Sequence, residues 1–279
     1  MNSNELSQFD RLYEKFEKGH RESALAELEE FAQLVNDPWE RAELGYHKIL
    51  WLLDLGRLPE AKLALNDFEK SVGRLVPTPP SDDPTDFSVR LTIEMLSAQI
   101  KVAYMDRDNI RALRILNDLM FRYPHSLQAS LFDPIFNQMQ TYRGLLLANL
   151  GRWTEARPFL ERPPCPKEWA NIVTFYLGQY YYEHGDYRSA KLKLLAALNM
   201  TLPPAWEAKA HYLLGIVLHE LHDEDGAKTQ FEKCVAIGTT EYLSTTKIWE
   251  WLEATSLRLG LPDEAEIYKR RRATESRIN

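Results

Sequence analysis

A small residue recurs along this chain at a nearly regular interval. Seven alanines, each within a helix-like stretch, follow one another at intervals of 34 to 51 residues, and most of these intervals lie near 37. Repeats of roughly 34 to 40 residues are typical of stacked helix pairs. A Leu or Phe stands four residues after six of the alanines, which places both side chains on one face of the same helix. The alanines are Ala24, Ala61, Ala112, Ala156, Ala190, Ala227 and Ala265.

Turn residues mark the boundary between the two helices of a pair. Gly19, Gly56, Gly151 and Gly185 each stand five residues before one of the alanines, and glycine readily adopts the backbone conformations of tight turns. The pattern therefore predicts an all-α chain of about seven antiparallel helix pairs in one elongated domain, residues 1–279. The predicted pairs span residues 5–35, 39–72, 87–123, 134–161, 168–200, 205–237 and 242–277.

Proline-rich interruptions account for the longer intervals. The insertion at residues 74–86 contains four prolines, which lack the backbone N–H that a helix interior requires. A shorter linker, with room for a helical turn, covers residues 125–133. Pro158 falls inside the second helix of the fourth pair, so we expect that helix to be short or bent and to stop before Pro163.

Two units repeat a Leu-Gly pair, a further core position, an alanine and a large apolar residue in the same order. They contain Leu177, Gly178, Tyr181, Ala190 and Leu194, then Leu214, Gly215, Leu218, Ala227 and Phe231. On these residues the chain resembles the tetratricopeptide repeat family. The resemblance implies a right-handed α-solenoid in which the first helix of each pair lines a concave, protein-binding face. It implies no particular partner.

Mapping that concave face onto the first helices gives an aromatic stripe. Tyr and Phe offer a large contact area with few rotatable bonds, so such stripes often mark interaction surfaces. The alternative is that these rings pack between neighbouring first helices. Lys101 and Thr141 fall on the same stripe. The predicted partner-binding residues are Tyr13, Tyr46, Leu50, Tyr104, Phe175, Gln179, Tyr182, Tyr212 and His219.

The same map addresses one known function of the family. Its chaperone-binding members hold a partner's C-terminal carboxylate with Lys, Asn and Arg on three consecutive first helices. The matching positions here are Phe9 and Tyr13 in the first pair, Tyr46 and Leu50 in the second, and Ser97 and Lys101 in the third. The absence of this clamp favours a peptide segment or helix of another protein, bound through apolar and aromatic contacts. We expect a non-catalytic interaction scaffold or adaptor. The alternative is a peptide- or small-ligand-responsive regulator whose superhelix changes shape on binding, with residues 158–166 as its hinge.

Motifs for catalysis or metal binding are weak. His219 and His222 flank an acidic residue but are three residues apart, whereas the zinc-protease helix needs histidines four apart. The sequence contains neither a Gly-rich phosphate loop nor a Gly-x-Ser-x-Gly elbow, which are signatures of phosphate binding and of nucleophilic catalysis. We expect no enzyme activity, no metal and no cofactor.

Net charge and the distribution of apolar residues indicate which partners and which cellular compartment to expect. The net charge of −7 argues against nucleic acid, which requires a concentrated basic surface. The sequence contains no run of roughly 20 apolar residues of the kind that spans a membrane, and it begins with polar residues. We therefore expect a cytoplasmic protein that does not contact membranes. A homodimer stays open, with Trp249 and Trp251 as candidate exposed contacts.

Overall fold

The computed structural model describes residues 3–76, 78–162, 169–238 and 244–276, and every regular element in these ranges is helical. The chain divides into two compact units, Met1–Leu150 and Gly151–Asn279. The helices of unit 1 are α1 Ser3–Glu17, α2 Arg21–Leu34, α3 Pro38–Asp54, α4 Leu58–Leu75, α5 Phe87–Met105, α6 Asn109–Arg122 and α7 Asp133–Asn149. The helices of unit 2 are α8 Trp153–Leu160, α9 Ala170–Glu183, α10 Tyr187–Leu198, α11 Pro204–Glu220, α12 Glu224–Ile237, α13 Thr245–Arg258 and α14 Pro262–Glu275.

The predicted all-α fold of sequential antiparallel helix pairs is confirmed. The linker at residues 125–133 forms two short 3-10 turns, and α8, which contains Pro158, has eight residues. Residues 163–166, with Cys165, and the predicted starts of the fifth and seventh pairs lie outside the described residues. The grouping of all pairs into one domain stays a prediction.

Within each unit, successive helices pack in chain order. In unit 1, α1 packs on α2, α3 on α4 and α5 on α6, and each pair also contacts the next element. In unit 2, α9 packs on α10, α11 on α12 and α13 on α14. The first helices also contact one another, α3 with α5 and α5 with α7 in unit 1, α9 with α11 and α11 with α13 in unit 2. The first helices of each unit therefore share one side of it.

The recurring alanines lie in the buried core. Six of the seven are completely buried, and Ala265 is 4% exposed. The large residue four positions later is buried as well, and in two pairs it covers a glycine of the first helix. A β-carbon on Gly178 would lie 2.8 Å from Leu194 Cγ, and one on Gly215 would lie 2.6 Å from a ring carbon of Phe231. Small residues therefore set the distance between the helices.

In every pair, the residue five positions before the alanine lies in the turn between the two helices and has a left-handed backbone conformation. Gly56, Gly185 and Gly260 have φ between 71° and 73°. In two pairs the position is not glycine, since Arg107 has φ 63° and His222 has φ 61°. A left-handed conformation costs a non-glycine residue roughly 1–2 kcal/mol. The repeat therefore extends through pairs whose sequence lacks the glycine.

Capping residues fix where several helices begin. Asp37 accepts hydrogen bonds from the backbone N–H groups of Trp39 and Glu40, and Pro38 starts the helix. Asp186 and Asp223 each accept from the N–H three residues later. Such caps satisfy backbone donors that lack partners in the first helical turn.

The insertion before α5 is held against the linker after α6. The carboxylate of Asp82 accepts hydrogen bonds from the backbone N–H of His125 at 2.8 Å and from the N–H of Ser126 at 2.9 Å. Burial alone would raise the pKa of Asp82, but the Ser126 hydroxyl, which also donates to this carboxylate, and the two backbone N–H groups keep that pKa below its usual value. The carboxylate of Asp82 therefore links the insertion to the segment that follows α6.

Replacing Gly215 with alanine tests the close contact between α11 and α12. We expect Gly215→Ala to lower the free energy of unfolding by about 1–3 kcal/mol, because its β-carbon meets the buried Phe231 ring. Gly73→Ala is the matched control, since nothing lies within 4 Å of a β-carbon there, and alanine favours a helix by up to about 1 kcal/mol. Urea denaturation measures both, and equal effects at the two sites would contradict the packing argument.

Candidate functional site

The side of unit 1 formed by its first helices carries a row of polar residues, which we call the polar stripe. It consists of residues on α3 and α5 whose side chains meet between the two helices. On α5 the spacing of three and four residues places them on one helix face. The polar stripe comprises Glu43, Tyr46, His47, Arg90, Glu94, Ser97 and Lys101.

Arg90 joins the two acidic residues of the polar stripe. Its guanidinium forms an ion pair with Glu43 across the helices and donates a hydrogen bond from Nε to Glu94 Oε1 at 3.0 Å. Glu94 is 4% exposed. Burial raises its pKa to about 7, although the positive charge of Arg90 opposes the rise. Near neutral pH the carboxyl group of Glu94 is therefore present in both its protonated and its ionised form.

Two side-chain oxygens in the polar stripe have no hydrogen-bond partner among the residues that the structure describes. Glu94 Oε2 and Ser97 Oγ are both buried and unpaired, and Ser97 is fully buried. An unpaired buried polar group costs free energy. These two unpaired oxygens, on the face of α5 that meets α3, therefore lower the stability of the folded protein.

Lys101 lies one helical turn beyond Ser97 and is 5% exposed. Its ammonium is 3.5 Å from the hydroxyl of Tyr46 and 5.6 Å from the centroid of that ring. Within the described ranges, no carboxylate forms an ion pair with it. The Lys101 ammonium therefore lies near the hydroxyl and the ring of Tyr46.

His47 connects the polar stripe to α1. Its ring lies 4.7 Å from the ring of Phe9 and 5.6 Å from that of Tyr46. Burial, with the positive charges of Arg90 and Lys101, lowers the pKa of His47 to about 4. The imidazole is therefore neutral near pH 7.

The four predicted contact residues of unit 1 differ in accessibility. Tyr13 is 46% exposed, whereas Tyr46 is buried at 5%. Leu50 and Tyr104 are partly buried, and the ring of Tyr104 packs edge-on against Tyr142 at 5.1 Å. Tyr13 and Tyr104 thus offer surface, and Tyr46 lies beneath it.

The predicted contact residues of unit 2 lie on α9 and α11. Phe175 is 3% exposed and His219 is 5% exposed. Gln179, Tyr182 and Tyr212 are partly buried and keep some accessible surface. Among the predicted contact residues of this unit, the accessible ones are therefore those that carry an amide or a hydroxyl group.

His219 is held by neighbouring helices. Its Nδ1 lies 2.8 Å from Glu224 Oε2, and Arg258 donates to the other oxygen of Glu224 at 3.0 Å. The His219 ring packs edge-on against Trp251, whose Nε1 donates to the Tyr212 hydroxyl at 3.2 Å. These bonds fix Tyr212 and His219 in place.

The suggestion that Trp249 is exposed was wrong. Trp249 is 5% exposed and stacks on Tyr268 with 5.9 Å between ring centroids, because α13 is covered by the last helix. Trp251 is partly buried in the contacts of His219. These tryptophans therefore offer little surface for a homodimer.

His219 and His222 do not form a metal site. His219 is buried in α11, whereas His222 is exposed in the turn that follows. Across the described part of the chain, no group of three or more His, Cys, Asp or Glu side chains is arranged to hold a metal ion.

Among the described residues, no helix has the length and apolar character needed to cross a membrane.

Aromatic mapping of the sequence missed the charged members of the polar stripe. It included Lys101 but not Glu43, Arg90 or Glu94. A signal was present, since α5 carries three charged residues within 12 positions of an otherwise uncharged helix, and their spacing places all three on one face.

Comparison with known proteins identifies the fold. No protein-family model matches the sequence, and no curated protein matches it either. The apo form of the quorum sensor NprR from B. thuringiensis has a TM-score of 0.72 at 11% identity, over 95% of this chain and 74% of that chain. A signal transduction ATPase with a tetratricopeptide repeat sensor from Pyrococcus horikoshii has a TM-score of 0.59 at 13% identity, over 99% of this chain and 42% of that chain. A tetratricopeptide repeat protein from Parabacteroides merdae has a TM-score of 0.50 at 12% identity, over 98% of this chain and 93% of that chain.

The pH dependence of stability tests the environment of Glu94. Its pKa is raised from 4.5 to about 7, so the native state keeps a proton that the unfolded chain releases. This retained proton stabilises the folded protein fully below pH 4.5, the pKa of the carboxyl group in the unfolded chain. The stabilisation is lost as pH rises through about 7, the pKa of Glu94 in the folded protein. Between pH 5 and pH 8, we expect wild type to lose up to about 3 kcal/mol of unfolding free energy relative to Glu94→Gln.

Urea denaturation at both pH values measures this difference. His47 has the opposite effect, since its stabilisation is lost as pH falls from 6.5 toward 4, but it is common to both proteins and cancels. The exposed Glu30→Gln is the control for removal of an acidic residue. A constant difference between wild type and Glu94→Gln across this range would show that Glu94 titrates normally.

Proposed function

We propose that this chain, which has the fold of tetratricopeptide repeat proteins, is a non-catalytic scaffold that binds a peptide segment or helix of another protein on the side formed by its first helices. The observation that carries this proposal is the accessible aromatic and amide surface on those helices in both units. It includes Tyr13 and Tyr104 in unit 1 and Gln179, Tyr182 and Tyr212 in unit 2.

Physical chemistry supports protein contact at this surface. Tyrosine combines a large apolar ring with a hydroxyl, so it contributes to interfaces at a low cost in side-chain entropy. Tyr212 is held by Trp251, which reduces the motion lost on binding. The buried Tyr46 and the partly buried Leu50 belong to the proposed contact surface of unit 1, and the buried Phe175 and His219 belong to that of unit 2.

Substitution of accessible tyrosines tests the proposal. Partners are purified on tagged protein from the native cells and identified by mass spectrometry. We expect the combined variant Tyr13→Ala, Tyr104→Ala and Tyr182→Ala to lose a specific partner by at least about tenfold, because truncated aromatic contacts weaken binding strongly. Circular dichroism confirms that the variant is folded.

The matched control removes apolar surface from the second helices. Leu63 on α4 and Leu192 on α10 are 67% and 70% exposed, so Leu63→Ala with Leu192→Ala removes contact area away from the proposed site. This variant should keep the partner. Loss of the partner in the control, with retention in the tyrosine variant, would place binding on the second helices.

A peptide- or small-ligand-responsive regulator is the second candidate. It is favoured by the structural likeness to NprR, a quorum sensor, and to a repeat domain described as a sensor. The short helix α8 with its internal Pro158 supplies the candidate hinge, because proline removes a helical hydrogen bond.

Small-angle scattering separates the two functions. A scaffold keeps the same radius of gyration when the purified partner segment binds, whereas a regulator becomes measurably more compact. The scaffold proposal predicts no change beyond the mass of the added segment. A decrease on saturation would favour the regulator.

A further inference from the structure

We propose that a cleft between α4, α5 and α6 binds a small extended zwitterion, a ligand that carries a carboxylate at one end and an ammonium at the other. The cleft has a volume of about 290 Å³, near the lower limit for small-molecule sites. This inference goes beyond the proposed function, because the ligand and its site differ from the partner segment and the surface that binds it.

The cleft lies on the face of α5 opposite the polar stripe. Gln99 and Ala103 line the cleft and stand two residues before and after Lys101. Each is therefore turned by about 200° from Lys101 around the helix axis. A ligand in the cleft and a partner on the polar stripe contact different faces of α5, so the two can be tested separately.

The floor of the cleft is apolar. Leu65, Val102 and Ala103 line it and are buried, with between 3% and 6% of their surface exposed. A ligand that covers this floor removes the remaining apolar surface from water, which favours binding. The middle of the ligand therefore needs hydrocarbon groups on the side that faces the floor.

Two of the four charged residues that line the cleft pair with each other, since Lys62 Nζ lies 2.5 Å from Asp106 Oδ1. Of the other two, Glu69 accepts a hydrogen bond from the neutral amide of Gln99 at 2.8 Å, and Arg111 is exposed. Neither Glu69 nor Arg111 forms an ion pair with another described residue. The cleft therefore presents one negative and one positive group whose charges are not compensated.

These two groups lie at opposite ends of the cleft. Glu69 follows Lys62 by seven residues on α4, which is about 10 Å along the helix axis. Arg111 lies at the Lys62 end, because it comes five residues after Asp106, the partner of Lys62. A chain of three extended residues spans the same distance, at about 3.3 Å per residue. The ligand carboxylate is therefore assigned to Arg111 and the ammonium to Glu69.

Calorimetric titration of the purified full-length protein tests this assignment with two zwitterions of suitable length. One is trialanine with free ends, and the other is aminooctanoate with its amine on the last carbon. We expect saturable binding of aminooctanoate, trialanine or both, with one molecule per chain. Octanoate and trialanine amide should bind at least about tenfold more weakly, because each loses one of the two charged contacts. The short zwitterion β-alanine should be equally weak, since it reaches only one end.

Variants assign the binding to the two charged residues. Arg111→Gln and Glu69→Gln should each weaken zwitterion binding by at least about tenfold, because each removes one charged hydrogen bond. Arg114→Gln is the matched control and should bind as wild type does, since Arg114 is an exposed arginine on the same helix outside the cleft. Circular dichroism confirms that all three variants are folded.

Asn66 separates the two sources of such a zwitterion. It lines the cleft between Lys62 and Glu69, and its exposed amide has no hydrogen-bond partner in the described ranges. An amide can donate to and accept from a peptide group. Selective loss of trialanine binding in Asn66→Ala identifies a short peptide as the ligand class, whereas unchanged binding of both probes identifies an amino carboxylate with a hydrocarbon chain.

Three results would overturn the inference. They are the absence of saturable binding by either zwitterion at millimolar concentrations, octanoate binding as tight as that of aminooctanoate, and equal effects of Arg111→Gln and Arg114→Gln. None of them bears on partner binding by the accessible tyrosines, which is measured with a different ligand and different variants.

Discussion

The structure depends on how closely the two helices of a pair approach each other. A buried alanine on the second helix leaves space for the first helix, and the large residue four positions later fills the gap beyond it. At Gly178 and Gly215 even a single methyl group would meet the opposing side chain. Because protein interiors tolerate little added volume, these positions fix the helix separation. That separation in turn places the first helices together on one side of each unit.

The polar stripe shows what this close packing demands of charged residues. Arg90, Glu94 and Lys101 lie on α5 within an otherwise uncharged sequence, where Glu94 and Lys101 are buried and Arg90 stays partly exposed. Pairing with Arg90 reduces the cost for both acids, while Lys101 receives a hydroxyl and an aromatic ring. The resulting surface combines accessible tyrosines with a fixed arrangement of charge beneath them.

The helix pairs could be predicted from the sequence because their determinants are local. The alanine, the large residue four positions later and the turn residue occupy a fixed spacing, so Ala190 and Leu194 reveal their pair directly. Exposure could not be predicted in this way, since the burial of Tyr46, Phe175 and Trp249 depends on which neighbouring helix covers them. The charged residues of the candidate site could not be predicted from the sequence for a related reason. Glu43 and Arg90 are 47 residues apart, and only the packing of α3 on α5 brings them together.

The left-handed turn position has a consequence for how such a chain changes over time. Arg107 and His222 show that the backbone keeps its conformation when glycine is replaced, because the packed helices on either side hold the turn. Different residues at this position can therefore form the same turn. Each turn can therefore lack glycine separately while the helical repeat persists.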